Sequence, residues 1–159
     1  MPSSDCAIDW CKKGMTKTFE HILVPYNGTA GSEKAFRKAI SLSETIQAKI
    51  TILTCVEERQ TFGFFKTKAS KQEFEKECKI IKKQHLKLEK FAKEHDVSCG
   101  SKIVKNGLAS TKILEFAKQH KVDLIITTRT KLSSHYEKQY YHSTVENMFR
   151  NSPCPILIL

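Results

Sequence analysis

The chain has 159 residues, enough for one domain with a real hydrophobic core. Its 40% hydrophobic and 28% charged content is that of a soluble globular protein, and its longest apolar runs, such as Ile156-Leu157-Ile158-Leu159, fall far short of the ~20 residues that span a bilayer. Twenty-seven basic residues against 17 acidic ones leave a net charge of +10, which favours acidic partners or a solvated lysine-rich surface.

Residues 1–18 are polar and without periodicity, and read as a flexible N-terminal tail ahead of an α/β domain over residues 19–159. No basic stretch followed by an apolar one opens the chain, so a cytoplasmic location is expected; Met15 is a second candidate start. His21-Ile22-Leu23-Val24-Pro25 predicts a first buried strand, closed by the turn residues Asn27-Gly28. Ala35, Phe36, Ala39, Ile40, Ser43 and Ile46 then fall on one face of a helix. The β-branched run Lys49–Val56 predicts a second strand, and residues 57–70 a loop carrying Phe62, Phe64 and Phe65.

A long amphipathic helix is predicted over 71–95, with Phe74, Cys78, Ile81, His85, Leu88 and Phe91 inward; His85 there reads as a hydrogen-bonded core histidine. Val97–Val104 predicts a third strand, Asn106-Gly107 a turn, and Ile113, Phe116 and Ala117 the inner face of the next helix. Asp123–Thr127 reads as a fourth strand, followed by a polar segment, a short helix with Val145, Met148 and Phe149, the breaker Pro153-Cys154-Pro155, and a last strand over Ile156–Leu159. Strictly alternating strands and helices predict an open five-stranded parallel sheet with helices on both faces, a Rossmann-like α/β fold.

Six cysteines do not make a disulfide framework here. Cys55, Cys78 and Cys154 lie in apolar segments and read as small buried hydrophobes, while Cys6 and Cys11 have neither a CxxC nor a zinc-knuckle spacing. The histidines are scattered, so no metal site, catalytic triad or Walker-type phosphate loop is read.

Three segments together resemble the universal stress protein family over nearly all of residues 19–159. Ile22-Leu23-Val24-Pro25-Tyr26-Asn27-Gly28-Thr29 is similar to the family's opening strand and loop. Asp123-Leu124-Ile125-Ile126 is similar to its aspartate-led fourth strand, and Ser143–Asn147 through Cys154–Ile158 to its closing helix and strand. The resemblance implies an adenine nucleotide alpha hydrolase-like fold and, in its ATP-binding branch, nucleotide at the carboxyl ends of the first and fourth strands. Glycines after the fourth strand let backbone N–H groups approach phosphate. Here Thr128, Lys131 and His142 take those glycine positions, Asn27 replaces the strand-one aspartate, and Pro25 and Ser143 keep the family residue; Cys55 takes a position that often lines the adenine pocket. These departures predict lost or weakened binding of ATP or another adenine nucleotide, with Ser143 also fitting a helix capping box.

The leading expectation is a non-catalytic stress-response or regulatory binding module, homodimeric through Ile156, Leu157, Ile158 and Leu159, whose apolar edge invites pairing. A second reading is a nucleotide-binding protein with a glycine-free anion site built from side chains, Arg129, Lys131, His135 and Lys138 with the neighbouring hydroxyls, holding a small anionic ligand with weak hydrolysis. A third is polyanion binding through residues 66–105, where 12 lysines face 6 acids; nucleic acid is the less expected partner.

Overall fold

The computed structural model describes residues 19–56, 68–105, 107–128 and 146–159. The tail over 1–18 with Cys6 and Cys11, the loop aromatics Phe62, Phe64 and Phe65, and the site candidates Arg129, Lys131, His142 and Ser143 lie outside the described residues, as do His135, Lys138 and Val145.

The elements are β1 (His21–Pro25), α1 (Ala30–Ile46), β2 (Lys49–Val56), α2 (Lys68–Glu94), β3 (Cys99–Lys105), α3 (Ala109–Gln119), β4 (Leu124–Thr127), a short helix α4 over 146–151, and β5 (Ile156–Ile158). All strands run parallel in one sheet of order β3-β2-β1-β4-β5, so the chain reverses its winding direction beside β1. The central strand β1 is nearly all buried, with Ile22, Leu23 and Val24 fully enclosed. Each such side chain contributes about 1.5–3 kcal/mol on burial.

Alternation along the strands divides the core between the two faces. Ile22, Val24, Ile50 and Ile52 pack with Phe36 and Ala39 of α1 and Leu88 and Ala92 of α2. Leu23, Leu53 and Ile125 pack on the opposite face with Ile113 and Phe116 of α3 and Met148 of α4. The expected inner face of α3 is buried, those of α1 and α2 are buried except for half-buried Ile46 and half-buried Phe74, Ile81 and Phe91, and Phe149 of α4 points into solvent, 75% exposed.

Capping sets the boundaries where spacing alone was imprecise. Thr29 caps α1, its Oγ1 accepting from Ser32 N at 3.2 Å, and Gln47 ends it in the left-handed region. α2 starts three residues before the expected position 71, ends at Glu94, and is followed by left-handed Asp96. Val97 N then donates to Ala92 O at 3.0 Å, so Val97 closes the helix and β3 begins only at Cys99. Asp123 likewise precedes β4: its carboxylate accepts from Glu20 N (2.8 Å) and His21 N (3.0 Å), pinning the start of β1 beside the start of β4.

Two of the three cysteines read as buried are only half-buried. Cys78 is enclosed under α2, but Cys55 stands where β2 opens at its carboxyl end, and Cys154 precedes an edge strand with a single neighbour. Among the described residues β5 is not covered on both faces: Leu157 and Ile158 are 38% and 43% exposed.

Candidate functional site

An open parallel sheet leaves a crevice at the carboxyl ends of its strands where the winding reverses. In this protein the reversal falls between β1 and β4, and a cavity of about 560 Å³ lies at the carboxyl ends on the other side of β1, between the ends of β1 and β2 and the first half of α2. Tyr26, Asn27 and Gly28 line it from the β1–α1 turn, and Thr54, Cys55 and Val56 from β2. From α2 come two carboxylates, Glu73 and Glu77, one lysine, Lys76, and the side chains of Ile80, Ile81 and Gln84.

The turn is shaped locally. Asn27 Oδ1 accepts from Thr29 N (3.3 Å) and Thr29 Oγ1 (2.7 Å), and Gly28 follows with φ +77°, a conformation other residues resist. Asn27 is thereby engaged in building the entry to α1, a role for which an uncharged amide suffices. Gln84 closes over Gly28, its amide about 3.5 Å from where a Cβ would stand.

A polar chain fixes α2 to the sheet beside this cavity. Thr54 Oγ1 donates to Tyr26 O at 2.8 Å, which uses its only hydrogen. Thr54 Oγ1 therefore accepts from His85 Nε2 at 2.7 Å, which sets the histidine as the Nε2–H tautomer. His85 is buried and hydrogen-bonded, as its place in the helical stripe predicts, and burial holds its pKa below the ordinary histidine value. Burial and the neighbouring Glu33 raise the Tyr26 phenol, whose OH donates to Glu33 Oε2 at 3.4 Å.

On the other side of β1, Thr128 follows β4 and is buried. Its Oγ1 lies against the first turn of α1: a Cβ on Gly31 would stand 2.7 Å from it. The side chain at position 128 is thus accommodated by a glycine in the facing helix.

Of the expected site residues, the structure brings Asn27 and Cys55 to one cavity, places Pro25 half-buried at the end of β1, and sets Thr128 beneath the start of α1. The contribution of α2 was not read from the sequence. Glu73, Lys76, Glu77 and Gln84 look like ordinary solvated helix positions there; only the rotation and tilt of α2 over the sheet turn them toward the crevice. No group of three or more metal-ligating side chains occurs among the described residues.

The family model described as the universal stress protein family matches residues 18–159. The chain belongs to the universal stress protein family. A universal stress protein of Methanocaldococcus jannaschii is 23% identical over 145 residues, spanning 89% of this chain and 82% of that one. Among solved structures, universal stress protein UspA from Lactobacillus plantarum superposes with a TM-score of 0.73 at 22% identity, over 89% of this chain and 97% of that one. A universal stress protein solved in complex with cAMP gives 0.65 at 19% identity, over 89% and 96%. At such identities the neighbours establish the shared fold, a Rossmann-like universal stress protein sheet, and leave the ligand of this chain to its own residues.

Proposed function

We propose that this universal stress protein is a regulatory binding module without catalytic turnover, whose crevice has little or no affinity for ATP. The observation that carries the reading is the composition of the crevice. Its described wall offers two carboxylates, Glu73 and Glu77, against one lysine, Lys76; across β1, the buried Thr128 side chain stands against Gly31 where a phosphate cradle needs bare backbone. Triphosphate brought there meets like charge on α2, and each such juxtaposition in a half-enclosed site works against binding. The apolar and neutral surfaces of Val56, Ile80, Ile81 and Gln84 instead suit an uncharged or weakly charged ring.

A second reading keeps an adenine nucleotide as ligand, with the anion held by the side chains of Arg129, Lys131, His142 and Ser143. It is favoured by the neighbour solved with cAMP, whose crevice belongs to the same fold. Titration of labelled ATP at several salt concentrations separates the two. We expect weak binding that salt abolishes, the mark of generic lysine attraction. Saturable one-to-one binding that persists in salt, with Thr128→Gly making it tighter, would instead establish the nucleotide site.

The module comprises residues 19–159 behind a tail over 1–18, acts in the cytoplasm, and works as a homodimer paired through β5. The exposed apolar side chains of Leu157 and Ile158 on an edge strand support that pairing.

A further inference from the structure

The opposite edge of the sheet carries a second surface. β3 is the terminal strand beyond β2, seven residues long and, among the described residues, paired on one side only. Ile50 N donates to Ser98 O, and in a parallel ladder alternate residues face the partner. The backbone groups of Gly100, Lys102 and Val104 are therefore spent on β2, while those of Cys99, Ser101, Ile103 and Lys105 point outward.

Beside this free edge a groove of about 400 Å³ runs between β3 and α2. Its apolar surface comes from half-buried Ile103, from Cys78 buried beneath it, and from Leu86, which is 66% exposed despite its size. His85 and Ser101 add polar surface, Lys82 on α2 and Lys102 and Lys105 on β3 supply the charge, and among the described residues no carboxylate lines it. All three lysines are exposed, and the ammonium of Lys105 rests over the Phe74 ring at 4.9 Å, which holds it at the groove.

An unpaired strand edge, an apolar slot at side-chain spacing and a one-signed charge lining are the three elements of strand addition by a peptide. We propose that the β3 edge and its groove dock an acidic, extended segment of a partner protein, added to the sheet as a further parallel or antiparallel strand. The outward amides of β3 supply the backbone pairing, Lys82, Lys102 and Lys105 select for glutamate or aspartate, and the slot between Leu86 and Ile103 receives one apolar side chain. A nucleic acid fits less well: among the described residues His85 is buried and the Phe74 ring beside the groove already carries the Lys105 ammonium on one face, which leaves little for a base to stack on.

The test uses the full chain and a fluorescein-labelled seven-residue peptide of glutamates around a central leucine, read by anisotropy. The controls are the same peptide with alternate amides N-methylated and a labelled single-stranded oligodeoxynucleotide of about 20 bases, a length that spans ordinary site sizes. Saturable peptide binding is expected. It should weaken about tenfold on N-methylation and about tenfold in the double variant Lys82→Glu, Lys102→Glu, whose changes are on exposed side chains. Ser101→Pro removes one outward N–H without touching the ladder to β2, and should weaken the peptide while leaving oligonucleotide binding unchanged. Binding indifferent to N-methylation and to Ser101→Pro, an oligonucleotide bound as tightly as the peptide, or no peptide binding at all, each overturns the proposal.

Discussion

Gly31→Ala tests whether Thr128 is locked against α1. In an unconstrained helix the change would stabilise the protein by up to about 1 kcal/mol, since glycine gives up more backbone freedom on folding than alanine. Here the new methyl would stand 2.7 Å from Thr128 Oγ1, well inside contact distance. Thr128 is 6% exposed and β-branched, so it has little room and few rotamers to yield into. Overpacking of this kind costs about 1–3 kcal/mol. The net expectation is a loss of about 0.5–2 kcal/mol, read from urea unfolding as a lower midpoint at unchanged slope. The decisive measurement is the double-mutant cycle with Thr128→Ala. Once the hydroxyl and its branch are gone, Gly31→Ala should recover its ordinary helix gain, giving a coupling of about 1–3 kcal/mol. If Gly31→Ala stabilises both backgrounds equally, Thr128 does not press on α1, and the account of how this chain tolerates a side chain at position 128 fails.

Acidification should destabilise the protein through two histidines. Burial lowers the pKa of both His21 and His85, so the unfolded chain takes up protons first: stability is whole above about pH 6.5 and falls as pH drops through that value toward the folded pKa, by at most about 1.4 kcal/mol per pH unit for each histidine. Urea midpoints measured across that range should slope accordingly, and His85→Gln should remove part of the slope; a flat profile would contradict the burial of both rings. Thiol labelling followed by mass spectrometry should find Cys78 and Cys99 slow, the first enclosed and the second with its pKa pushed up to about 12 by burial, and Cys55 faster than either; rapid labelling of Cys99 would show β3 opening readily. Leu157→Lys should convert a dimer to monomer in light scattering, and a wild-type protein monomeric at tens of micromolar (the order expected for a modest interface,) would rule out pairing through β5.

The fold was legible because its signals are local and repeated. Three buried residues in a row at Ile22–Val24, the three-and-four stripe from Phe74 to Phe91, and turn residues at Asn27-Gly28 each report one element, and the alternation fixes the class. Boundaries slipped where a backbone cap or a clamp takes a residue away from its strand, as at Val97 and Asp123, because apolarity does not reveal which carbonyl an amide will find. The candidate site was legible on the strand side only. Asn27 and Cys55 follow from where β1 and β2 end, but Glu73, Glu77 and Gln84 reach the crevice through the placement of α2, a long-range packing result with no local mark. The fit of Thr128 to Gly31 is of the same kind: two positions 97 residues apart (128 minus 31) become one contact only after the sheet has formed.

The two edges of the sheet also explain each other. An edge that pairs with its own copy across a two-fold axis closes into a dimer, but a sheet with two such edges would go on adding copies as an open ribbon. β5 offers Leu157 and Ile158 with no charged side chain between residues 156 and 159, whereas β3 carries exposed Lys102 and Lys105 beside Lys82 of α2. Two β3 edges brought together would set lysine against lysine across a strand spacing of about 4.8 Å, where like charges oppose pairing. The lysines thus work against a second copy at β3, which fits the proposed acidic segment there and the proposed self-association through β5. Replacing Lys82, Lys102 and Lys105 together by threonine, a good strand former without charge, removes that barrier. The triple variant should form species larger than a dimer in light scattering, and adding Leu157→Lys to it should cap growth at a pair joined through β3. A triple variant of wild-type size would mean that something other than charge protects the β3 edge.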